Sequence, residues 1–336
     1  MKRLISILLR LVISAVLLWL LFREHDLLGD IMPRFQGMSD HWPWALAGIG
    51  CAFMSLFLTA VRWHIILRGI EPGLSFGTVM RAELVSAFFN ISSVGVVGGD
   101  TYKIMSLSRR LPGKTMPVSV SLILDHLTGF VAVSLLFLLC AAITSGRWHE
   151  FGTNVRVIVT GYAMYTGGAT VGLLITWVSF KPNVLAWGRR TFPRTFGHPK
   201  FAGIIQRMAR VHDIAAPLWR RLFSATLVAG CMHVMFFLSF YCGLRAVGGV
   251  APVVDVLTAM PIVDTAASLP VSISGLGVRE RAFETLLSGI ARVPEPICIS
   301  ASLAGWLLNL SWGLVGGLLF LRSKHHPSPQ PEVNAA

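Results

Sequence analysis

Charge is what this sequence has least of: Asp, Glu, Lys and Arg make up 13% of its 336 residues, against about 25% in an ordinary soluble protein. A soluble fold is excluded. Acidic residues are scarcer still, with 16 Asp and Glu against 29 Lys and Arg, a formal charge of +13 and a pI near 10.3. Since no RNA- or DNA-binding motif accompanies that excess, it is assigned to basic loops against an anionic leaflet, and no nucleic-acid partner is expected. The five cysteines, Cys51, Cys140, Cys231, Cys242 and Cys298, lie in apolar stretches without C-x-x-C spacing, which excludes a disulfide framework and a zinc site. The full phosphate-loop pattern Gly-x-x-x-x-Gly-Lys-Ser/Thr and the His-Glu-x-x-His pattern are absent. No cofactor and no metal are expected.

Apolar residues make up 54% of the chain, and mean hydropathy is +0.67. Runs of about 20 nearly uncharged residues recur, each long enough to cross a hydrocarbon core of about 30 Å. Full spans are expected at Leu4 to Phe22, Trp42 to Leu67, Pro117 to Ile143, Val157 to Phe180, Phe223 to Val247 and Ile297 to Leu321. The first of them carries Arg10 and ends without a small-residue cleavage site, so it reads as a retained anchor. Two further apolar stretches, Phe76 to Val97 and Val253 to Leu287, are broken by Gly, Pro and polar residues, whose freed backbone groups need partners that lipid does not supply. They are read as re-entrant. The expected fold is thus an all-α integral membrane protein: about six transmembrane helices and two oppositely oriented re-entrant elements.

Loop charges agree with that count, because an extra crossing would move every later loop to the other side. The cytoplasmic set holds Lys2, Arg3, Arg10, the stretch from Arg62 to Lys114, the loop from Lys181 to Arg221 and the tail starting with Arg322 and Lys324. Both termini are therefore expected in the cytoplasm, with the chain in a bacterial-type inner membrane. Residues 1–324 form one membrane domain; the Pro-rich, polar segment 325–336 reads as a disordered tail. Within Lys200 to Arg221, apolar residues recur at helical spacing, as in an interfacial helix on anionic headgroups.

The two broken stretches share a pattern. Ser86 to Asp100 and Asp264 to Glu280 each run from apolar to Ser-rich residues, then to paired or spaced glycines, then to a charge. Entering from opposite leaflets, they would form an inverted repeat with a site near the midplane. Gly98, Gly99, Gly275 and Gly277 permit the chain to reverse, and helix N-termini just after Gly99 and Gly277 would favour a phosphate or other anion.

The same residues carry a family likeness. Phe89-Asn90, Gly98-Gly99-Asp100 and Lys103, then Gly275-Leu-Gly-Val-Arg-Glu280, with Arg62-Trp63 far upstream, resemble the lysylphosphatidylglycerol synthase transmembrane, or flippase-like, family. This is the membrane half of the multiple peptide resistance factor. The likeness extends over roughly residues 5 to 322. It departs from the family pattern near Ser93 to Gly95, where Pro-Gly is usual, at Lys103, where Arg is usual, and at Gly129, which stands where an Asp often follows the pair occupied here by Asp125 and His126. The synthases add a cytoplasmic domain that transfers lysine to phosphatidylglycerol, and no stretch of this sequence fits it. The resemblance therefore implies lipid translocation rather than aminoacylation, with an anionic phospholipid or a polyprenyl-linked lipid as cargo.

Charges inside the bilayer cost about 2.5 to 3.5 kcal/mol each on insertion scales, so those retained are functional candidates. Arg279 and Lys103 are expected to draw in a lipid phosphate, with Asp100 and Glu280 holding those cations in the empty site. Asn90 either contacts substrate or satisfies the broken backbone. Arg62, Arg81, Glu83, Asp125, His126 and Asp264 form a second rank; His126 could relay protons. A polyprenyl-phosphate-dependent glycosyltransferase, or its accessory subunit, is the alternative function, but it needs catalytic carboxylates on an outer loop and no Asp-x-Asp is present. A homo-oligomer and envelope-biosynthesis enzymes stay open as partners.

Overall fold

Helix is the only regular structure that satisfies every backbone group within one apolar segment, and the apolar runs become helices. A computed structural model describes residues 27–92, 96–151, 154–179, 213–269 and 271–324, with a few isolated positions elsewhere. The expected span Leu4 to Phe22 lies outside them apart from four isolated residues, as do the tail 325–336 and most of the interfacial segment Lys200 to Arg221. After short helical turns over 27–39 come α1 (Trp42–Leu67), α2 (Phe76–Ser92), α3 (Val96–Arg110), α4 (Thr115–Thr144), α5 (Asn154–Ser179), α6 (Trp219–Ala246), α7 (Val253–Ser268), α8 (Val278–Ala291) and α9 (Glu295–Lys324). No strand occurs among the described residues.

Four helices, α1, α4, α6 and α9, are long and apolar enough to cross a membrane, and they coincide with four of the expected spans. The expected span Val157 to Phe180 is helical as α5. The first interrupted stretch gives α2, with α3 beginning at Val96 beyond residues 93–95, which lie outside the described ones, and the second gives α7 and α8, with no α-helix among the described residues between Leu269 and Gly277.

Helix lengths repeat along the chain. A quartet of 26, 17, 15 and 30 residues (α1 to α4) is followed, beyond α5, by one of 28, 16, 14 and 30 (α6 to α9). Packing is reciprocal: α4 lies against α6 and α7 of the second quartet, α9 against α1 and α2 of the first, and α1 packs along α6 between them.

Glycine permits the closest crossings. A Cβ on Gly316 of α9 would lie 1.8 Å from the Leu84 carbonyl oxygen of α2, and one on Gly243 of α6 would lie 2.7 Å from the Gly305 backbone nitrogen of α9. Gly168 and Gly172 on α5 face Phe130 and Val131 of α4, so this small-residue pair serves packing within the chain. The main core gathers Phe137, Phe237, Phe240, Leu244, Met260 and Phe283 between the quartets.

Candidate functional site

In the first quartet, four charges from four helices meet in a desolvated cluster. Arg62 on α1 donates from Nε and Nη2 to the two carboxylate oxygens of Asp125 on α4, each at 2.7 Å. Lys103 Nζ on α3 lies 2.7 Å from Glu83 Oε1 on α2. All four side chains are buried, and Glu83 interacts electrostatically with both Arg62 and Asp125. Lys103 also sits 5.2 Å above the Trp63 ring, whose indole N–H donates to Ser121 Oγ at 3.1 Å. Gly129 makes room for this arrangement, since a Cβ there would lie 2.7 Å from Arg62 Nη1. Bonds of 2.7 Å are at the short end for charged pairs. These four groups are committed to one another.

Asp100 does something else. The expected pairing of Asp100 with Lys103 does not form; Asp100 Oδ2 lies 2.8 Å from His126 Nε2 on α4, while the ammonium turns inward to Glu83. The reason is placement: Lys103 is buried against Trp63, whereas Asp100 is only partly buried and meets the exposed His126 at the helix surface. A second correction concerns the helix start. The sequence placed the α3 N-terminus just after Gly99, but α3 begins at Val96, so Gly98 and Gly99 fall within its first turn. There the Gly99 N–H donates to Asn90 Oδ1 at 3.1 Å. A Cβ on Gly99 would come within 2.3 Å of Asn90 Oδ1 and Ser86 Oγ. Asn90 thus ties α2 to the start of α3 by bonding backbone, one of the two roles its chemistry allowed.

The second quartet places its charges at the start of α8, as expected. Gly277 is the N-cap, at φ 84°, a conformation that favours glycine. Its N–H donates to Glu280 Oε2 at 2.6 Å, the reciprocal half of a capping box, and Ser302 Oγ of α9 donates to Glu280 Oε1 at 3.1 Å. Glu280 is fully buried. Arg279 is held differently. Its two contacts with Glu280 Oε1 are both 3.3 Å, and that to the Ser274 carbonyl is 3.4 Å. All exceed the 2.7–2.9 Å of a firm charge-assisted bond. The guanidinium is otherwise flanked by the rings of Phe240 and Trp306, at 5.9 and 5.8 Å, and Asp264 on α7 acts on it electrostatically.

The turn before α8 is tightly shaped. Ser274 and Gly275 both have positive φ, 54° and 72°, and Trp306 Nε1 donates to Ser274 Oγ at 3.2 Å. This turn packs against α2, so the second break touches the helix that leads into the first. Arg81, by contrast, is exposed on α2, away from the buried cluster, in a cleft with Tyr102, Arg110 and Arg322.

Ser302, Trp306 and Ser274 were not singled out from the sequence, nor was the buried Asp255, which pairs with Arg147. The Gly-x-x-Glu spacing of Gly277 and Glu280 was a usable capping signal. The other contacts join residues far apart in the chain and leave no local trace. No group of His, Cys, Asp and Glu suited to a metal occurs among the described residues.

Comparison with known proteins points to a membrane protein. A relative from Pyrococcus horikoshii, described as UPF0104 membrane protein PH1989, is 23% identical over 290 residues, covering 81% of this chain and 84% of the relative. No solved structure matches the chain. The profile of the family described as "Lysylphosphatidylglycerol synthase TM region" matches residues 7–321. The chain is a multi-pass membrane protein belonging to that family.

Proposed function

We propose that this protein is a lipid translocase, moving the headgroup of an anionic phospholipid or polyprenyl-linked lipid across a bacterial-type inner membrane. The helix pairs α2–α3 and α7–α8 are re-entrant elements entering from opposite leaflets. Together with six full spans they form an inverted repeat, with both termini in the cytoplasm. Repeated helix lengths and reciprocal packing support the repeat, because among the described residues α5 is the one long helix between the quartets, and one crossing between two halves inverts the second.

One observation carries the reading: a buried arginine, Arg279, at a helix N-terminus, whose bonds to its own carboxylate are long. Arg62 is bonded to both oxygens of Asp125 at 2.7 Å and Lys103 lies 2.7 Å from Glu83 Oε1, so these two cations hold the scaffold. Arg279 retains donor capacity, the positive end of α8 lies beside it, and a phosphate can displace contacts of 3.3 Å more readily than contacts of 2.7 Å. Asp264 and Glu280 keep the cation neutralised when no lipid is bound. The headgroup would move along the interface between the breaks while its chains remain in lipid.

The test is headgroup translocation in proteoliposomes, read by quenching of a labelled anionic phospholipid from one side. Arg279→Ala is expected to abolish quencher-protected exchange, and Asp100→Ala to slow it. An unchanged rate for a normally folded Arg279→Ala protein would overturn the assignment.

A further inference from the structure

Away from the buried charges, a cleft of about 590 Å³ opens between α2, α3 and α9. Three guanidinium groups converge on it from three helices: Arg81 of α2, Arg110 at the end of α3 and Arg322 near the end of α9. Its wall contains no carboxylate, and the hydroxyls of Thr78, Tyr102 and Ser106 complete the polar side. Arg110 Nη1 donates to Thr78 Oγ1 at 3.3 Å, and among the described residues none of the three arginines is paired with an acid. Arg62, Lys103, Lys114, Arg147 and Arg281 each have a carboxylate; what distinguishes the cleft is that three arginines without one line a single concavity. Three like charges around one concavity repel each other, and an anion in the cleft would reverse the sign of that interaction.

We infer that this cleft is a second anion site, separate from Arg279, that binds the phosphate of a membrane lipid. The choice of a lipid over a soluble phosphate rests on the apolar half of the wall. Leu84 and Leu319 line the cleft beside the arginines, and the adjoining face of α9 carries Leu314, Leu318 and Leu321, all exposed at helical spacing. Met105 of α3 is exposed nearby on the other side. A phosphate held by guanidinium groups would thus have its acyl or prenyl chains beside an apolar helix face. Its volume lies within the usual range of small-molecule sites, about 300–1,000 Å³, and exceeds what a bare phosphate fills. The lipid as ligand rests on the function proposed above, but occupancy of the cleft does not require that any lipid cross.

Binding, not transport, is therefore the readout. The full chain is reconstituted in nanodiscs of phosphatidylcholine with a minor share of phosphatidylglycerol, and the lipids retained after extraction are counted by native mass spectrometry. Arg81→Gln, Arg110→Gln and Arg322→Gln combined should lower retained phosphatidylglycerol by about tenfold or more, since each removes a charge-assisted contact. The three lysine substitutions should restore part of it. A charge-matched control at exposed positions outside the cleft, Arg68→Gln, Arg109→Gln and Arg220→Gln, should retain it. Equal loss in the control would mean that general surface charge holds the lipid, and undiminished retention in the cleft variant with an unaltered melting profile would remove the site. Inorganic phosphate displacing phosphatidylglycerol from the wild-type protein would overturn the lipid assignment. Loss of retention in the cleft variant supports the inference even if the translocation assay shows no movement.

Discussion

Removing one partner of the Arg62–Asp125 pair should cost far more than removing both. The pair makes two parallel bonds of 2.7 Å, with side chains only 6% and 1% exposed, so neither ion can recover its hydration when the other is deleted. Breaking a buried pair from one side costs about 3–5 kcal/mol, whereas replacing both partners by apolar residues of similar volume is near neutral or stabilising. Glu83 breaks the symmetry between the two single changes. With Asp125→Asn, Arg62 keeps an attractive neighbour in Glu83; with Arg62→Met, Asp125 is left beside a like charge that Lys103 only partly offsets. Arg62→Met should therefore sit at the upper end of that range and Asp125→Asn at the lower, while Arg62→Met with Asp125→Leu recovers most of the loss. Equilibrium unfolding in mixed detergent measures all three, and the cycle isolates the coupling. Single variants within about 1 kcal/mol of wild type, the range of exposed pairs, or a double variant showing the sum of both losses, would refute the reasoning.

Other consequences follow from local geometry. Gly316→Ala forces a Cβ against the Leu84 carbonyl and should destabilise by about 1–3 kcal/mol through overpacking, whereas Gly37→Ala, where a Cβ meets nothing within 4 Å, should leave the melting temperature close to wild type. Gly277→Ala places a side chain at φ 84° and should cost about 1–3 kcal/mol in the same unfolding assay. Glu71, between α1 and α2, is bonded to the ammonium of Lys114 at the start of α4, which holds that carboxyl below its usual range. Its folded value is depressed, so the contribution is present above the ordinary carboxylate pKa and is lost as pH falls through the folded one. The melting difference between wild type and Glu71→Gln should accordingly be present at neutral pH and close on acidification; a difference that widens in acid would contradict it.

Much of the architecture was legible in advance for a simple reason. A helix that must stand in hydrocarbon needs an unbroken apolar run, and that is a local property. Trp42–Leu67 was delimited to the residue, α4 and α9 exceeded their expected ends by a few residues, and α6 begins at Trp219, ahead of the expected Phe223, and stops at Ala246, just short of Val247. The interruption between α7 and α8 was visible because serine, proline and glycine interrupt such a run; the one expected near Ser93 to Gly95 lies outside the described residues. Gly277 with Glu280 was legible as well, since a capping box is written within four residues.

Pairing was not legible. Asp100 and Lys103 are three residues apart, and sequence proximity matched them; packing instead gave Asp100 to His126 and Lys103 to Glu83, because α3 buries one face against Trp63 and leaves the other at the surface of α4. Arg62 and Asp125 are 63 residues apart, and only the approach of α1 to α4 joins them. The chain alone dictated where helices run and where they stop, through the cost of exposing backbone to lipid. Which charges neutralise one another, and which arginine is left loosely bound, depended on how helix faces met, since electrostatic satisfaction is settled by distance in space and not by position in the chain.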